Sequence, residues 1–382
     1  MAERSVVVLG GGIGGIVAAR TLRKHLPAEV RVTLVDRDAT HTFAPSLLWL
    51  LSGERTVPQI TRGRGRLAHS GVDVITGSAE GLDADARTLR VDGRDIAFDR
   101  LVVALGAEPV PGLMPGLARG GIDIYSPEGA VDAGRALREL GAGRVAIVIA
   151  RPPYKCPAAP NEAAFLAEAL LRRTGSRAQV ALYTPEPFPM PTAGEALGTA
   201  LAGMLRGRGI EVHTGHVLEE VDPDARSLVF QGGERAAYDL LLAIPPHRTP
   251  DVVRASGLAN ESGFIPVDRS TLATAAPSIF AIGDVTQIPI AGAKFLPKAG
   301  VFAKSHAKVV ASRIVDEMAG REPRATFDGT GACFVDMGDG IAAFATGDFY
   351  SEPAAAVRLR QPGRRWRLAK LALEKHWLAR WA

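Results

Sequence analysis

SVVVLGGGIGGIVAARTL at residues 5–22, followed by VRVTLVDRD at 30–38, decides the fold. An apolar run, a glycine cluster and a run rich in alanine and leucine read as strand, tight turn and helix. The second stretch reads as another buried strand. Gly10, Gly12 and Gly15 fit the pattern G-x-G-x-x-G. The first glycine permits the tight turn, the second lets backbone approach a pyrophosphate, and the third lets the helix pack on the strand. The helix start adds amide donors and the positive end of its dipole. Asp36 closes the second strand 21 residues after Gly15 (36 − 15), where an acid binds a ribose hydroxyl. The glycines alone are a weak signal. With the strand before, the helix after and the acid at this distance, they read as a dinucleotide-binding unit.

The chain has 382 residues, 47% hydrophobic and 23% charged, with 42 glycines and two cysteines, Cys156 and Cys333. This suits an α/β protein of two or three domains. No apolar run reaches the about 18 residues that span a bilayer, and the N-terminus enters a strand at once, so cytoplasmic synthesis and retention are expected. Net charge is +4, but residues 358–382 carry eight Lys/Arg against one acid, Glu374, so the rest sums to −3. The basic character therefore belongs to the tail and implies an anionic surface there, with no nucleic-acid partner.

Beyond the first unit, DRLVVALGAEPVPGLMPG (99–116) and PSIFAIGDVTQIPI (277–290) each read as a buried strand ending in a glycine turn, at Gly106 and at Gly283-Asp284. Between them lies a second α/β unit: RVAIVIA (144–150) a strand, NEAAFLAEALLRR (161–173) a helix, QVALYTPEP (179–187) a strand. After its first strand comes ARPPYKCPAAPNE, with four prolines and no glycine. Backbone cannot approach a pyrophosphate there, so this unit is expected not to bind NAD(P)H. Cys156 stands where the phosphate cradle would be. Cys333 lies 177 positions later (333 − 156), and only the fold can bring the two together. Two unrelated buried thiols are the alternative.

These segments resemble the two-dinucleotide-binding-domain flavoproteins. More narrowly they resemble the sulfide:quinone oxidoreductases and the flavoprotein subunit of flavocytochrome c sulfide dehydrogenases, through GGGIGG, FAPSLLW (43–49), GAEPVPG, YKCPAAPNE, AIGD, LPKAGVFA (296–303) and CFVDMGDG (333–340). The resemblance implies an α/β fold with two Rossmann-like dinucleotide-binding domains and a C-terminal segment ending in a basic, Trp-rich helix. It implies an FAD domain from 1–115 and 248–322, a second domain at 116–247, and a C-terminal capping and membrane-surface segment at 323–382. It also implies FAD contacts at Gly106, Gly283 and Asp284, packing of Pro45 and Ser46 on the flavin, and a Cys156–Cys333 redox pair over one side of the ring, with quinone reaching the other. Many members carry a third cysteine; this chain has none, so its FAD is expected to be noncovalent and long polysulfide growth is in doubt.

The chemistry so implied is attack of sulfide, or another small sulfur substrate, on a Cys156–Cys333 disulfide. A persulfide and a thiolate result, two electrons pass to FAD, and quinone reoxidises it. Which cysteine takes the sulfur stays open. Glu162 could exchange protons near the sulfur, or simply complement its helix dipole. Lys298 could stabilise negative charge on reduced flavin or quinone, or be a solvated surface lysine. No histidine pattern suggests a metal. His213 and His216 are expected on opposite faces of a strand, and His247 is a weak candidate near the flavin edge. Two alternatives remain: a sulfide or persulfide dehydrogenase with a cytochrome or other soluble acceptor, and a flavin-binding redox sensor without turnover.

The tail GRRWRLAKLALEKHWLARWA holds Trp366, Trp377 and Trp381. On a helix they and Leu373 share one arc, interrupted by Lys370 and Glu374. Such a helix suits an anionic membrane surface, or packs its apolar side on the protein or a second subunit. The expected location is peripheral, on the cytoplasmic side of the membrane. A homo-oligomer is left open.

Overall fold

The computed structural model describes residues 4–381. Two parallel five-stranded sheets organise it. In the first, the strands run Ile279–Ala281, Arg100–Val103, Ser5–Leu9, Arg31–Asp36, Asp73–Thr76 across the sheet. Ser5–Leu9 is central, with Val7 opposite Thr33 on one side and Leu101 on the other. Both faces are covered, which is why SVVVL is an unbroken apolar run. The helix Ile13–His25 covers one face and packs on the helix Gly300–Met318.

The second sheet runs Ile122–Asp123, Leu240–Ile244, Arg144–Ile149, Gln179–Thr184, Glu211–Thr214. Its central strand feeds the Cys156 turn and then the helix Ala159–Thr174. Both sheets place their turn-forming strand ends at one edge, where ligands sit in open α/β sheets. This is the fold class expected from the sequence.

After Gly300–Met318 the chain forms an antiparallel sheet, Thr330–Asp336, Ala342–Asp348 and Ala356–Gly363, and then the helix Arg364–Arg380. That helix does not present a plain apolar face. Its buried stripe is Arg367, Lys370, Glu374, Trp377 and Leu378, spaced three, four, three and one apart. Lys370 and Glu374, which interrupt the tryptophan arc, are members of the docked face. Trp377 stacks on Phe43 at 5.5 Å, and its indole N–H donates to His41 Nε2 at 3.2 Å. Trp366 stacks on Phe344, and Arg20 covers Trp381. Of the two readings left open by the sequence, the tryptophans follow the second: these rings lie against the protein, and the exposed face carries Arg364, Arg365, Leu368, Lys375, His376 and Arg380. Among the described residues no helix is long and apolar enough to cross a membrane.

Candidate functional site

At the glycine turn the three predicted positions divide their work. Gly10 has φ +107°, and a Cβ there would stand 2.5 Å from Ala104 O. A Cβ on Gly15 would stand 1.7 Å from Gly10 O. Gly12 has nothing within 4 Å of such a Cβ, so the space beside the helix start is open. Asp36 accepts from the amides of Gly11 and Asp38 and pairs with Arg64 at 3.1 Å. Arg64 also donates to Gly11 O at 3.0 Å. Sequence reading did not find Arg64, because nothing local marks a partner 28 residues beyond Asp36 (64 − 36).

Further along the same edge, Gly106 and Gly283 both have positive φ, 69° and 72°. Asp284 Oδ1 is buried with no hydrogen-bond partner, as is Ser46 Oγ in the short helix Ala44–Ser46; Pro45 is half-buried beside it. Burial raises the Asp284 carboxyl, opposed by Lys298 and Lys155. Open space at a helix start, together with orphaned acceptors and hydroxyls on adjoining turns, fits a dinucleotide with phosphates and many hydroxyls.

Cys156 occupies the turn of the second sheet in a left-handed conformation, φ 55°. Its N–H donates to Lys298 O at 2.6 Å, and its own C=O accepts from Ala159 N and from the Tyr125 hydroxyl. The Cys156 turn is thus held to the LPKAG segment, which bridges at Lys155 and Lys298. Cys156 is exposed as a residue, while the protein packed around its sulfur dominates the thiol's electrostatics. Desolvation there pushes the thiol up to about 11, Glu162 adds to the rise and Lys370 opposes it. Nearby Tyr154 donates to Glu186 Oε2 at 2.9 Å. Glu186 follows the strand Gln179–Thr184, and burial raises it to about 7.

Cys333 lies on the strand Thr330–Asp336, half-buried; its thiol is raised mainly by desolvation and next by Cys156. The fold therefore brings the two cysteines within electrostatic reach, both as free thiols. Glu162 is the link. From the helix that follows Cys156, its Oε1 accepts from Lys370 Nζ and its Oε2 from the Asp336 N–H at 3.1 Å. Asp336 is fully buried and accepts from Trp49 Nε1 at 2.8 Å and pairs with Arg367 at 2.9 Å. Arg367, Lys370 and Arg55 all lie over the Trp49 ring, at 4.2, 5.0 and 5.0 Å. Arg55 pairs with Glu374 at 2.7 Å. Neither Glu162 oxygen is left free, which the sequence did not foresee.

Lys298 is buried, not a solvated surface lysine. Its ammonium donates to Asp284 O and Thr286 O at 2.8 and 3.1 Å and lies 3.6 Å from the Phe264 ring centre. Burial lowers it to about 8. Lys155, which sequence reading passed over, is lowered by burial and raised by Asp284, Asp123, Glu108 and Cys156. His247 Nδ1–H donates to Pro245 O at 2.8 Å and the ring packs edge-on to Tyr125; burial lowers it to about 3, and Nε2 is unpartnered. As an acceptor, Pro245 O requires the proton on Nδ1, so His247 is neutral with an accepting Nε2.

The expectation for His213 and His216 is corrected. Gly215, with φ 73°, turns the chain after the strand ends, and both rings pack on Tyr183, 5.4 Å apart. Each faces a glutamate, Glu211 and Glu234. No group of three or more His, Cys, Asp or Glu among the described residues could hold a metal ion.

Residues 4–307 match the family model described as pyridine nucleotide-disulphide oxidoreductase. The chain is similar to the mitochondrial sulfide:quinone oxidoreductase of Mus musculus, 28% identical over 365 residues, 91% of this chain and 79% of that one. It is similar to the sulfide-quinone reductase of Aquifex aeolicus, 26% identical over 98% of this chain and 90% of that one. The X-ray structure of the sulfide:quinone oxidoreductase from that bacterium superposes with a TM-score of 0.89 at 25% identity, covering 98% of this chain and 91% of the other.

Proposed function

The chain belongs to the pyridine nucleotide-disulphide oxidoreductases, within them to the group of the sulfide:quinone oxidoreductases, and on that premise we propose that it oxidises sulfide to sulfane sulfur through Cys156 and Cys333 and passes the electrons to quinone. The observation that carries this reading is the Glu162 carboxylate, which ties the helix after Cys156 to the strand of Cys333. An exposed thiol with a second thiol in electrostatic reach suits disulfide exchange.

In the oxidised protein the two sulfurs form a disulfide. HS⁻ attacks one of them; an S–S bond to the incoming sulfur forms as the Cys156–Cys333 bond breaks, leaving a persulfide and a thiolate. Of the two, the thiol raised less is Cys156, so it is the better leaving group and Cys333 takes the sulfur. A second sulfide or a small thiol removes that sulfur and restores the dithiol. Closing the disulfide again releases two electrons and two protons, which end on the quinone. FAD, noncovalently bound, supplies the two-electron redox chemistry between them. Gly10, Gly12, Gly15 and the helix start would hold its pyrophosphate, Asp36 its ribose, and Gly106, Gly283, Asp284, Pro45 and Ser46 its remainder. Lys298, an ammonium buried beside Asp284, would offset negative charge that develops there.

The same reading places the enzyme peripherally at a membrane, on its cytoplasmic side. Support comes from an open groove of about 500 Å³ beside the C-terminal helix, lined by Arg62, Arg66 and Lys375 among others. With the exposed arginines of that helix it forms a basic surface for anionic lipid. The test is turnover: purified protein with sulfide and a short-chain quinone should reduce the quinone. NAD⁺ should not serve in its place. No quinone reduction would overturn the proposal, and reduction of a cytochrome alone would favour a soluble acceptor.

A further inference from the structure

We propose that Lys370, on the C-terminal helix, is a positioning residue of the sulfur site: its ammonium holds Glu162 as a carboxylate, turned so that one side chain joins the Cys156 helix to the Cys333 strand. The inference rests on the reading that Cys156 is a reacting thiol. By sequence the cations of the helix Arg364–Arg380 are those of a membrane-surface or packed helix, whereas the structure sends one of them to Glu162.

The argument begins with burial. Glu162 and Lys370 are both buried, and a carboxylate without a partner there would be costly. Lys370 Nζ takes Oε1, which leaves Oε2 to accept the Asp336 N–H at 3.1 Å. Removal of the ammonium leaves a carboxyl that desolvation already raises to rise further. A protonated carboxyl has one oxygen committed as a donor and no reason to keep both bonds. Other groups facing Glu162 do not replace Lys370. Asp336 is itself acidic and engaged with Arg367 and Trp49; Cys156, Cys333 and Tyr125 have no positive form. Arg367 is spoken for by Asp336 and Glu54. Lys370 is thus the cation that fixes the charge beside both thiols.

The test reads thiol reactivity without sulfide or quinone, so it fails or succeeds independently of the proposed turnover. The FAD-loaded protein, its cysteines reduced, is alkylated with iodoacetamide between about pH 6 and about pH 10, and Cys156 is followed by peptide mass spectrometry. Wild type, Lys370→Met, Lys370→Arg and the double variant Lys370→Met with Glu162→Gln are compared. In wild type the rate should rise with a single thiol ionisation. In Lys370→Met the carboxyl should hold its proton to higher pH than in wild type, and at the acid end of the range the rate should match the double variant within about twofold. As the carboxyl ionises at higher pH, its uncompensated charge should hold the single variant about tenfold below the double variant, one pKa unit of the thiol. Lys370→Arg should restore the single-ionisation profile. A Lys370→Met profile that overlays wild type at every pH would overturn the proposal, as would identical profiles for the single and double variants. If Lys370→Met does not fold, the proposal requires the double variant to fold, since it removes both charges together. Failure of both to fold would mean that Lys370 acts independently of Glu162, and the proposal would fall.

Discussion

Replacing Gly12 and Gly15 separately by alanine should divide cofactor binding from fold stability. The two glycines are three residues apart in one turn, but their surroundings differ. A Cβ at Gly15 would stand 1.7 Å from Gly10 O, where ordinary contact begins at 3.4 Å, so the helix must retreat from the strand end by about 1.7 Å (3.4 − 1.7). Seven residues of that helix are buried, and a closely packed core cannot follow such a shift without voids. Overpacking of this kind costs about 1–3 kcal/mol and occasionally more, and this site belongs at the upper end. Gly12 has φ −78°, which alanine adopts freely, and no atom lies within 4 Å of the added carbon. Its stability cost is that of alanine at a helix N-cap, about 1 kcal/mol or less. The added methyl would instead stand in the space beside the helix start where the pyrophosphate belongs, and FAD affinity should fall by tenfold or more, about 1.4 kcal/mol. Urea unfolding followed by tryptophan fluorescence gives the stabilities, and FAD titration of the apoprotein gives the affinities. The reasoning is refuted if Gly12→Ala binds FAD as tightly as wild type, or if Gly15→Ala is as stable.

Three other outcomes are expected. Turnover should lose rate on the alkaline side with an apparent pKa of about 8, because Lys298 sheds its proton as pH rises through that value; Lys298→Gln should be slow at every pH, and an unchanged alkaline limb in that variant would exclude Lys298 as its source. Trp377→Ala removes a nearly fully buried ring and the bond to His41, and should destabilise the protein by about 3–5 kcal/mol in urea unfolding; a loss under about 1 kcal/mol would mean the helix is not docked as described. Sulfide treatment of the oxidised protein followed by alkylation and mass spectrometry should place the extra sulfur on the Cys333 peptide, and its appearance on Cys156 alone would reverse the assigned leaving group.

How much of this was legible depends on how local the causes are. The strand, turn and helix of 5–25 could be read because each glycine answers to atoms within its own unit, Gly15 to Gly10 and Gly10 to Ala104. The place of Cys156 could be read because a glycine pattern is visibly missing from a turn that the preceding strand locates. The Lys370–Glu162 pair could not, since its members lie 208 positions apart and each alone looks like a helix-surface charge. The same holds for Asp336, whose partners Trp49 and Arg367 come from opposite ends of the chain. The tryptophan arc was visible as a pattern, but which side of the helix docks is decided by Glu162, Arg55 and His41 together, and only the tertiary fold assembles them. His213 and His216 failed for a smaller reason: strand alternation stops at Gly215.

The central claim is that Cys156 and Cys333 act as one redox pair. Anaerobic stopped-flow mixing of sulfide with FAD-loaded wild type, Cys156→Ser and Cys333→Ser tests it most directly, with the flavin absorbance as the signal. The account predicts rapid bleaching in wild type, recovered by quinone, and none in either variant. Full bleaching in one of the serine variants at the wild-type rate would contradict it.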